Sequence, residues 1–252
     1  MSEWFKDESF WKETYNFLFP ETIFDDSEEQ IENVLRLIGF DVSSVLDLCC
    51  GPGRCSIALA KKGFFVTGVD LSPYLLDKAI KRSKDENLKI DWVLEDMRKH
   101  VRSVSYDLVL NMFTSFGYFD DKSDDLIVLR NVFASLKPGG AFLIDVMGKE
   151  RLAKIIQPTL SNVLDDGTMI VQRPEIYDNW TRVKNDWTVI KDDRAKTFTF
   201  HHTVYSGQEL KDRMEQAGFK NIKLYGNFDG SAYDSDAQRL VIVGFKPEGP
   251  IK

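Results

Sequence analysis

The sequence predicts an α/β fold, a doubly wound and mostly parallel sheet, on three observations. Short apolar runs at 45–48, 64–69, 89–94, 106–111 and 141–146 alternate with stretches of helical periodicity. The first run breaks into a glycine-containing turn, Gly51-Pro52-Gly53, immediately before a helix. An acid stands near the carboxyl end of each of the first three runs: Asp47, Asp70 and Asp96.

The chain has 252 residues, enough to bury a full core, with a formal net charge of -7. That charge argues against duplex nucleic acid or an anionic membrane as the main partner. The apolar runs are too short to span a bilayer, and the N-terminus is acidic and aromatic rather than a basic-plus-apolar signal, so a cytoplasmic protein is expected. The three cysteines, Cys49, Cys50 and Cys55, crowd the glycine turn without C-x-x-C spacing or a nearby histidine. Neither a disulfide framework nor a metal site is expected, and a reducing compartment is the simpler assumption.

Residues 1–20 are rich in aromatics, and Trp11, Tyr15, Leu18 and Phe19 fall at helical spacing. This predicts a short amphipathic helix, either packed on the core or covering a ligand. Ser27-Glu28-Glu29-Gln30 has the form of a capping box, leading a helix through Ile31, Val34, Leu35 and Ile38. Gly63 stops the helix after the glycine turn, and Ser72 with Pro73 opens the next one. Ser123 is the expected cap of a helix that stops at Lys137-Pro138-Gly139-Gly140.

From 158 to 205 the rhythm becomes strand-rich, with runs at 168–171, 180–183, 187–190 and 197–205 separated by Asp-Gly, Asp-Asn and Asp-Asp clusters. Ser206 and Glu209 form another capping box, and strands at 222–225 and 240–245 end the sheet as a hairpin. The expected organisation is a helical cap over 1–40, a seven-stranded core from 41–157 and 206–252, and an inserted antiparallel β lid over 158–205.

The glycine turn admits two readings. Gly51-Pro52-Gly53-Arg54-Cys55-Ser56 approaches the dinucleotide pattern G-x-G-x-x-G, with Ser56 in the third glycine's place. Asp47 before the turn suits instead the cationic end of a ligand. Asp70 at the end of the second strand is placed to accept hydrogen bonds from ribose hydroxyls under either reading.

The set Asp47-x-Cys-Cys-Gly-Pro-Gly-Arg54, Val-Asp70-Leu-Ser-Pro, Glu-Asp96-Met-Arg and Leu-Lys-Pro-Gly-Gly140 resembles the class I S-adenosylmethionine-dependent methyltransferases over roughly 44–246. Cys49 replaces the first glycine of their motif. The resemblance implies a Rossmann-like sheet and S-adenosylmethionine as cofactor. It implies Asp96 at the adenine amino group, the backbone of Met97 at the ring, Asp70 at the ribose, and further cofactor contacts from Asp47, Cys49, Gly51, Gly53, Arg54, Leu71 and Asn111. The lid looks like that of small-molecule methyltransferases, which implies a small-molecule acceptor with a nitrogen or oxygen nucleophile.

The aromatic stretch 112–119 leaves a central strand at its carboxyl end, where open α/β sheets bind ligands. Phe113 and Tyr118, with Tyr177 and Tyr233, are therefore the expected acceptor-binding residues. No covalent nucleophile motif is present. His201 and His202 are candidate bases on opposite faces of one strand, and His202, sharing its face with Phe198 and Phe200, is equally a packing residue; Tyr118 is the other candidate for catalysis. Nucleic-acid methylation is disfavoured, because Asn111-Met112-Phe113-Thr114 stands where amino-methylating DNA enzymes carry Asn/Asp-Pro-Pro-aromatic, and no Pro-Cys pair exists. A noncatalytic cofactor-binding or sensing module and a nicotinamide dehydrogenase remain as alternatives.

Overall fold

Val45, Leu46 and Leu48 are all buried in β1 (Ser44–Leu48), the continuous apolar run expected of a strand covered on both faces. The computed structural model describes residues 3–249, which leaves 1–2 of the expected cap and 250–252 of the expected core outside. β1 pairs in parallel with β2 (Phe65–Asp70) and β4 (Tyr106–Asn111). β3 (Asp91–Leu94) extends the sheet beyond β2, and β5 (Leu136–Val146) extends it beyond β4. β10 (Lys220–Tyr225) and β11 (Leu240–Phe245) complete the order β10-β11-β5-β4-β1-β2-β3, with β11 antiparallel to both neighbours. The chain winds outward from β1 to β3 and then restarts at β4 on the other side. That reversal opens a crevice at the carboxyl ends of β1 and β4.

Helices cover both faces. Ile31, Val34 and Ile38 of α3 (Ser27–Ile38) and Ala58 and Leu59 of α4 (Arg54–Lys61) pack on Val45, Leu108, Leu143 and Val243. On the other face, Val128, Leu129 and Val132 of α6 (Lys122–Ser135) and Leu210 and Met214 of α8 (Gly207–Gln216) meet Leu46, Val109, Phe142 and Ile242. Ser72 caps α5 (Pro73–Asp85) and Ser206 with Glu209 forms a full capping box, both as their sequences predict.

A separate antiparallel sheet carries β6 (Leu160–Val163), β7 (Met169–Tyr177), β8 (Arg182–Lys191) and β9 (Arg194–Thr203) in chain order. Its Ile170, Trp187, Val189, Phe198 and Phe200 pack on Phe10 of α1 (Glu8–Leu18), with Trp4 and Trp11 beside them.

Four local expectations are corrected. The runs 180–183 and 187–190 are not two strands: Asp178, Asn179 and Trp180 all have positive φ and form the turn, while Arg182–Lys191 is one strand. Asp192 and Asp193, both at positive φ, make the two-residue turn into β9. Ser27 and Gln30 make no capping box, because α2 (Thr22–Asp25) runs through an α-helical Asp26 into α3 and the Ser27 hydroxyl donates back to Ile23 O. Asp121, not Ser123, caps α6, accepting from Ser123 N–H. Lys137-Pro138-Gly139-Gly140 does not separate helix from strand: β5 begins at Leu136 and absorbs these residues where its register with β4 shifts, Gly139 supplying φ +79°. The sequence reading also misses β6 and α7 (Lys149–Ile155).

The second sheet joins the core at Gly117, whose carbonyl accepts from Thr203 N–H at 2.7 Å. Gly117 has φ +97°, and a Cβ there would lie 2.6 Å from Thr203 O. Gly117→Ala is expected to destabilise the fold by roughly 2–4 kcal/mol, overpacking adding to backbone strain, as read by urea unfolding.

Candidate functional site

The glycine turn tightens through bonds of its own: Cys50 N–H donates to Val69 O and Gly53 N–H to Cys50 O, both at 3.0 Å. Cys49 takes φ +61°, a left-handed conformation that a non-glycine residue holds at a cost on the order of 1–2 kcal/mol. Gly51 (φ +56°) has room for a Cβ in its neighbourhood, whereas a Cβ on Gly53 (φ +86°) would lie 2.8 Å from the Trp92 ring and 3.0 Å from Ala79 Cβ. Gly53 therefore serves the packing of α4 on β3 and α5 and does not line the cavity described next.

A cavity of about 360 Å³ opens at the carboxyl edge of β1 to β4. Its lining includes Asp47, Cys49, Gly51, Arg54, Asp70, Leu71, Asp96 and Met97 from the strand edge, Phe113, Tyr118 and Phe119 from the segment after β4, Trp187, Phe200 and His202 from the second sheet, and Trp4, Phe5, Phe10 and Trp11 from the N-terminal segment. Sequence reasoning missed the contribution of Trp187 and Phe200. Their convergence depends on the long-range register that sets Trp187 opposite Phe198, which alternation within one strand does not contain.

Each acid is held differently. Asp70 accepts from Gly51 N–H at 2.8 Å through Oδ2 and from Ser72 N–H at 2.9 Å through Oδ1. Burial raises its pKa against these backbone donors. Asp47 is 2 % exposed and accepts from the Ser56 hydroxyl at 2.6 Å. Burial pushes its carboxyl up to about 6, with the Ser56 bonds opposing. Asp96 is gripped by Arg98, whose Nε lies 3.0 and 3.1 Å from its two oxygens. Burial works to raise its pKa, and the hydrogen bonds and charge of Arg98 outweigh it, leaving the carboxyl below its ordinary value. Asn111 does not line the cavity; its Nδ2 donates to Leu48 O at 3.0 Å and ties the ends of β4 and β1.

At the other end, Phe113 and Thr114 have φ +59° and +62°. Asp145, fully buried, holds them: its Oδ2 accepts from Phe113 N–H at 2.8 Å and its carbonyl from Thr114 N–H at 2.9 Å. Arg239 forks onto the same carboxylate. Neither member of this pair is evident from the sequence, since Asp145 comes from β5 and Arg239 from the loop just before β11.

Tyr118 lies 4.6 Å from the Trp4 ring, and burial, then Cys49 and Asp70, push its phenol well up. The His202 ring stacks on Phe200 and makes no hydrogen bond among the described residues. Burial, then the charge of Arg182, lowers its pKa to about 4, so it is neutral at pH 7. His201 bonds Tyr177 through Nδ1 at 3.0 Å and lies outside the cavity wall, as does Tyr177. Tyr233 donates to Glu150 Oε2 at 2.6 Å and packs on Gly148 and Gly207, also away from the cavity. The expectation that Tyr177 and Tyr233 meet an acceptor is therefore corrected: each hydroxyl is committed to a partner elsewhere. Among the described residues no three His, Cys, Asp or Glu side chains gather where they could hold a metal ion, and no helix is long and apolar enough to cross a membrane.

Residues 45–140 match a family model described as a methyltransferase domain. The chain is 28 % identical over 210 residues to YqeM of Bacillus subtilis, provisionally named a methyltransferase, covering 78 % of this chain and 81 % of the relative. Among solved structures it is similar to an S-adenosylmethionine-dependent methyltransferase from Clostridium acetobutylicum, with TM-score 0.78, 18 % identity, and 96 % and 98 % of the two chains covered. It is also similar to CalS10, an amino pentose methyltransferase from Micromonospora echinaspora bound to the cofactor, with TM-score 0.69, 20 % identity and coverage of 90 % and 92 %.

Because Asp47 titrates near 6 folded and about 3.9 unfolded, ionising it opposes folding; that cost is small at pH 4, where the unfolded carboxyl is only about half ionised, and complete by pH 8. The stability of Asp47→Asn relative to wild type is expected to rise by about 2–3 kcal/mol across this window, measured by urea unfolding of the ligand-free proteins. A pH-independent difference would contradict the burial account.

Proposed function

We propose, for a chain that is a class I S-adenosylmethionine-dependent methyltransferase by its domain and fold, that the methyl group passes to a nitrogen or oxygen of a small-molecule acceptor. The observation that carries this reading is the continuity of one cavity between acid-tipped strand ends and an aromatic chamber. In this reading the cap over 1–40 and the lid over 158–205 close the cavity from above, and the core supplies its floor.

The chemistry of the lining fits the cofactor. Asp70 has both oxygens oriented by backbone donors while lone pairs remain for two ribose hydroxyls. Asp96 is kept ionised by Arg98 to accept from the adenine amino group, beside the Met97 backbone. Gly51 and Cys49 line the path of the amino-acid end, with Asp47 behind them to meet its ammonium group. S-adenosylmethionine supplies an electrophilic methyl on a positively charged sulfur.

The residues of the chain then have two tasks. The aromatic walls exclude water and hold the acceptor in line, and such positioning accounts for ~7–11 kcal/mol of a barrier. His202 orients the nucleophile by accepting a hydrogen bond from it, a role open to the ring because it is neutral at pH 7, and the proton displaced on transfer leaves to water. Tyr118, kept protonated, supplies a hydroxyl contact to the acceptor rather than a base. CalS10 acts on an amino pentose, so sugar-sized amines are the first acceptors to test.

Calorimetry is expected to show binding of S-adenosylmethionine and S-adenosylhomocysteine but not NAD. Asp70→Ala is expected to weaken that binding at least about tenfold, or about 1.4 kcal/mol; unchanged affinity would remove Asp70 from the site. With labelled cofactor and a metabolite extract, wild type is expected to form methylated small molecules. His202→Ala is expected to lower that yield while keeping cofactor affinity within about twofold. Tight binding without any product would return the noncatalytic sensing role.

A further inference from the structure

The cavity carries its charge on one flank. Its carboxylates, Asp47, Asp70, Glu95 and Asp96, all stand at the carboxyl ends of β1 to β3. Among the described residues, the lining drawn from the second sheet, the N-terminal segment and the stretch after β4 holds no acid, lysine or arginine. The rings there close on one another: Trp4 lies 4.6 Å from Tyr118 and 4.9 Å from Phe200, and Phe200 lies 5.3 Å from Trp187. Most of the polar groups in this part are already engaged. The Trp4 and Trp11 indoles donate to His201 O and Phe5 O, the Ser115 hydroxyl donates to Met112 O, and the Thr114 hydroxyl accepts from Met147 N–H. A ligand therefore meets ring faces, the Tyr118 hydroxyl and the His202 imidazole.

Such a chamber selects the charge state of what it holds. An ammonium entering it leaves water without gaining a carboxylate, and ring faces restore only part of the lost solvation. The acid that bears on Tyr118 is Asp70, which the cofactor reading assigns to the ribose. Arg182, although paired with Asp120, acts on His202 in the same direction as burial, against a positive charge. The nucleophile is constrained by the same scarcity. A hydroxyl needs a base to take its proton as the bond to carbon forms. No carboxylate pairs with His202 among the described residues to make it a stronger base, and Tyr118 stays protonated. A neutral nitrogen already holds a lone pair: its N–H donates to His202, the N–CH3 bond forms as the S–CH3 bond breaks, and the proton leaves to water. We propose that the acceptor is an uncharged, apolar ring compound whose nucleophile is a weakly basic nitrogen on an aromatic ring, rather than an ammonium or a hydroxyl. This rests on the methyl-transfer reading above and narrows it; a sugar-sized amine gives the dimension of the acceptor, and the chamber gives its charge.

Three probes of similar size separate these characters: para-ethylaniline, its isomer para-methylbenzylamine, which is an ammonium ion at pH 7, and para-ethylphenol. On wild type saturated with S-adenosylhomocysteine, calorimetry is expected to show para-ethylaniline and para-ethylphenol bound about tenfold or more tightly than para-methylbenzylamine. His202→Glu places a carboxylate in the chamber and is expected to reverse that order. Its affinity for S-adenosylhomocysteine, expected within about twofold of wild type, reports that the variant is folded. With labelled S-adenosylmethionine, wild type is expected to methylate para-ethylaniline at least about tenfold faster than para-ethylphenol, which separates the need for a base from the need for neutrality. Binding of the ammonium isomer as tight as that of the aniline, or no binding of any probe, overturns the inference. So does an unchanged order in His202→Glu, a bound aniline that is never methylated, or a phenol methylated as fast as the aniline. Failure of S-adenosylhomocysteine to bind wild type overturns the cofactor reading itself, and this inference with it.

Discussion

The hydrogen bond from Gly51 N–H to Asp70 Oδ2, 2.8 Å long, fastens the turn after β1 to the tip of β2. The same carboxylate takes Ser72 N–H, so one side chain orients both the glycine turn and the start of α5. A half-buried carboxylate in this position costs desolvation free energy unless its oxygens are satisfied, and two backbone donors satisfy it only in part. The site is therefore assembled with acceptor capacity left over at the strand edge, which is what a ligand with hydroxyl donors requires.

The rest of the edge is built around that bond by similar cross-ties. Glu8 of α1 accepts from Ser72 Oγ at 2.7 Å and Tyr74 N–H at 3.1 Å, so the N-terminal helix reports directly on the start of α5. Trp4 Nε1 donates to His201 O at 2.9 Å, linking the same N-terminal segment to β9. The aromatic start of the chain thus belongs to both sheets, and its rings at once fill a core cluster and line the cavity. The two readings of an aromatic helix, packing and cover, are not exclusive here. Backbone strain is present at this edge too: Cys49, Phe113 and Thr114 all hold left-handed φ. Such conformations persist only when surrounding bonds over-determine them, as the Asp145–Arg239 pair does for 113 and 114.

The parallel sheet was legible because its signals are local. A strand, a tight turn and a helix leave their periodicity in a dozen residues, and the acids at 47, 70 and 96 mark strand ends by position alone. Three of those strand-end acids line one cavity, as the spacing implied. What was not legible depends on distance in the chain or on conformations that composition hides. Trp180 carries a β-prone side chain on a left-handed turn residue, so β8 reads as starting too early, and the polar Lys184-Asn185-Asp186 inside it reads as a second break. Ser27 and Gln30 have capping chemistry, yet the preceding helix leaves their side chains to meet Ile23 and Arg54. Tyr177 and Tyr233 sit in the right kinds of segment, but a tyrosine's partner is decided by tertiary placement. Gly53 is required by the Trp92 ring, a close approach visible only in three dimensions.

The most direct measurement is a crystal structure of the protein with S-adenosylhomocysteine. The account predicts the nucleoside across the tips of β2 and β3, its ribose hydroxyls on Asp70 and its adenine between Met97 and Asp96, with the sulfur turned toward Tyr118 and His202. A nucleoside found elsewhere, or one whose ribose leaves Asp70 untouched, would contradict it.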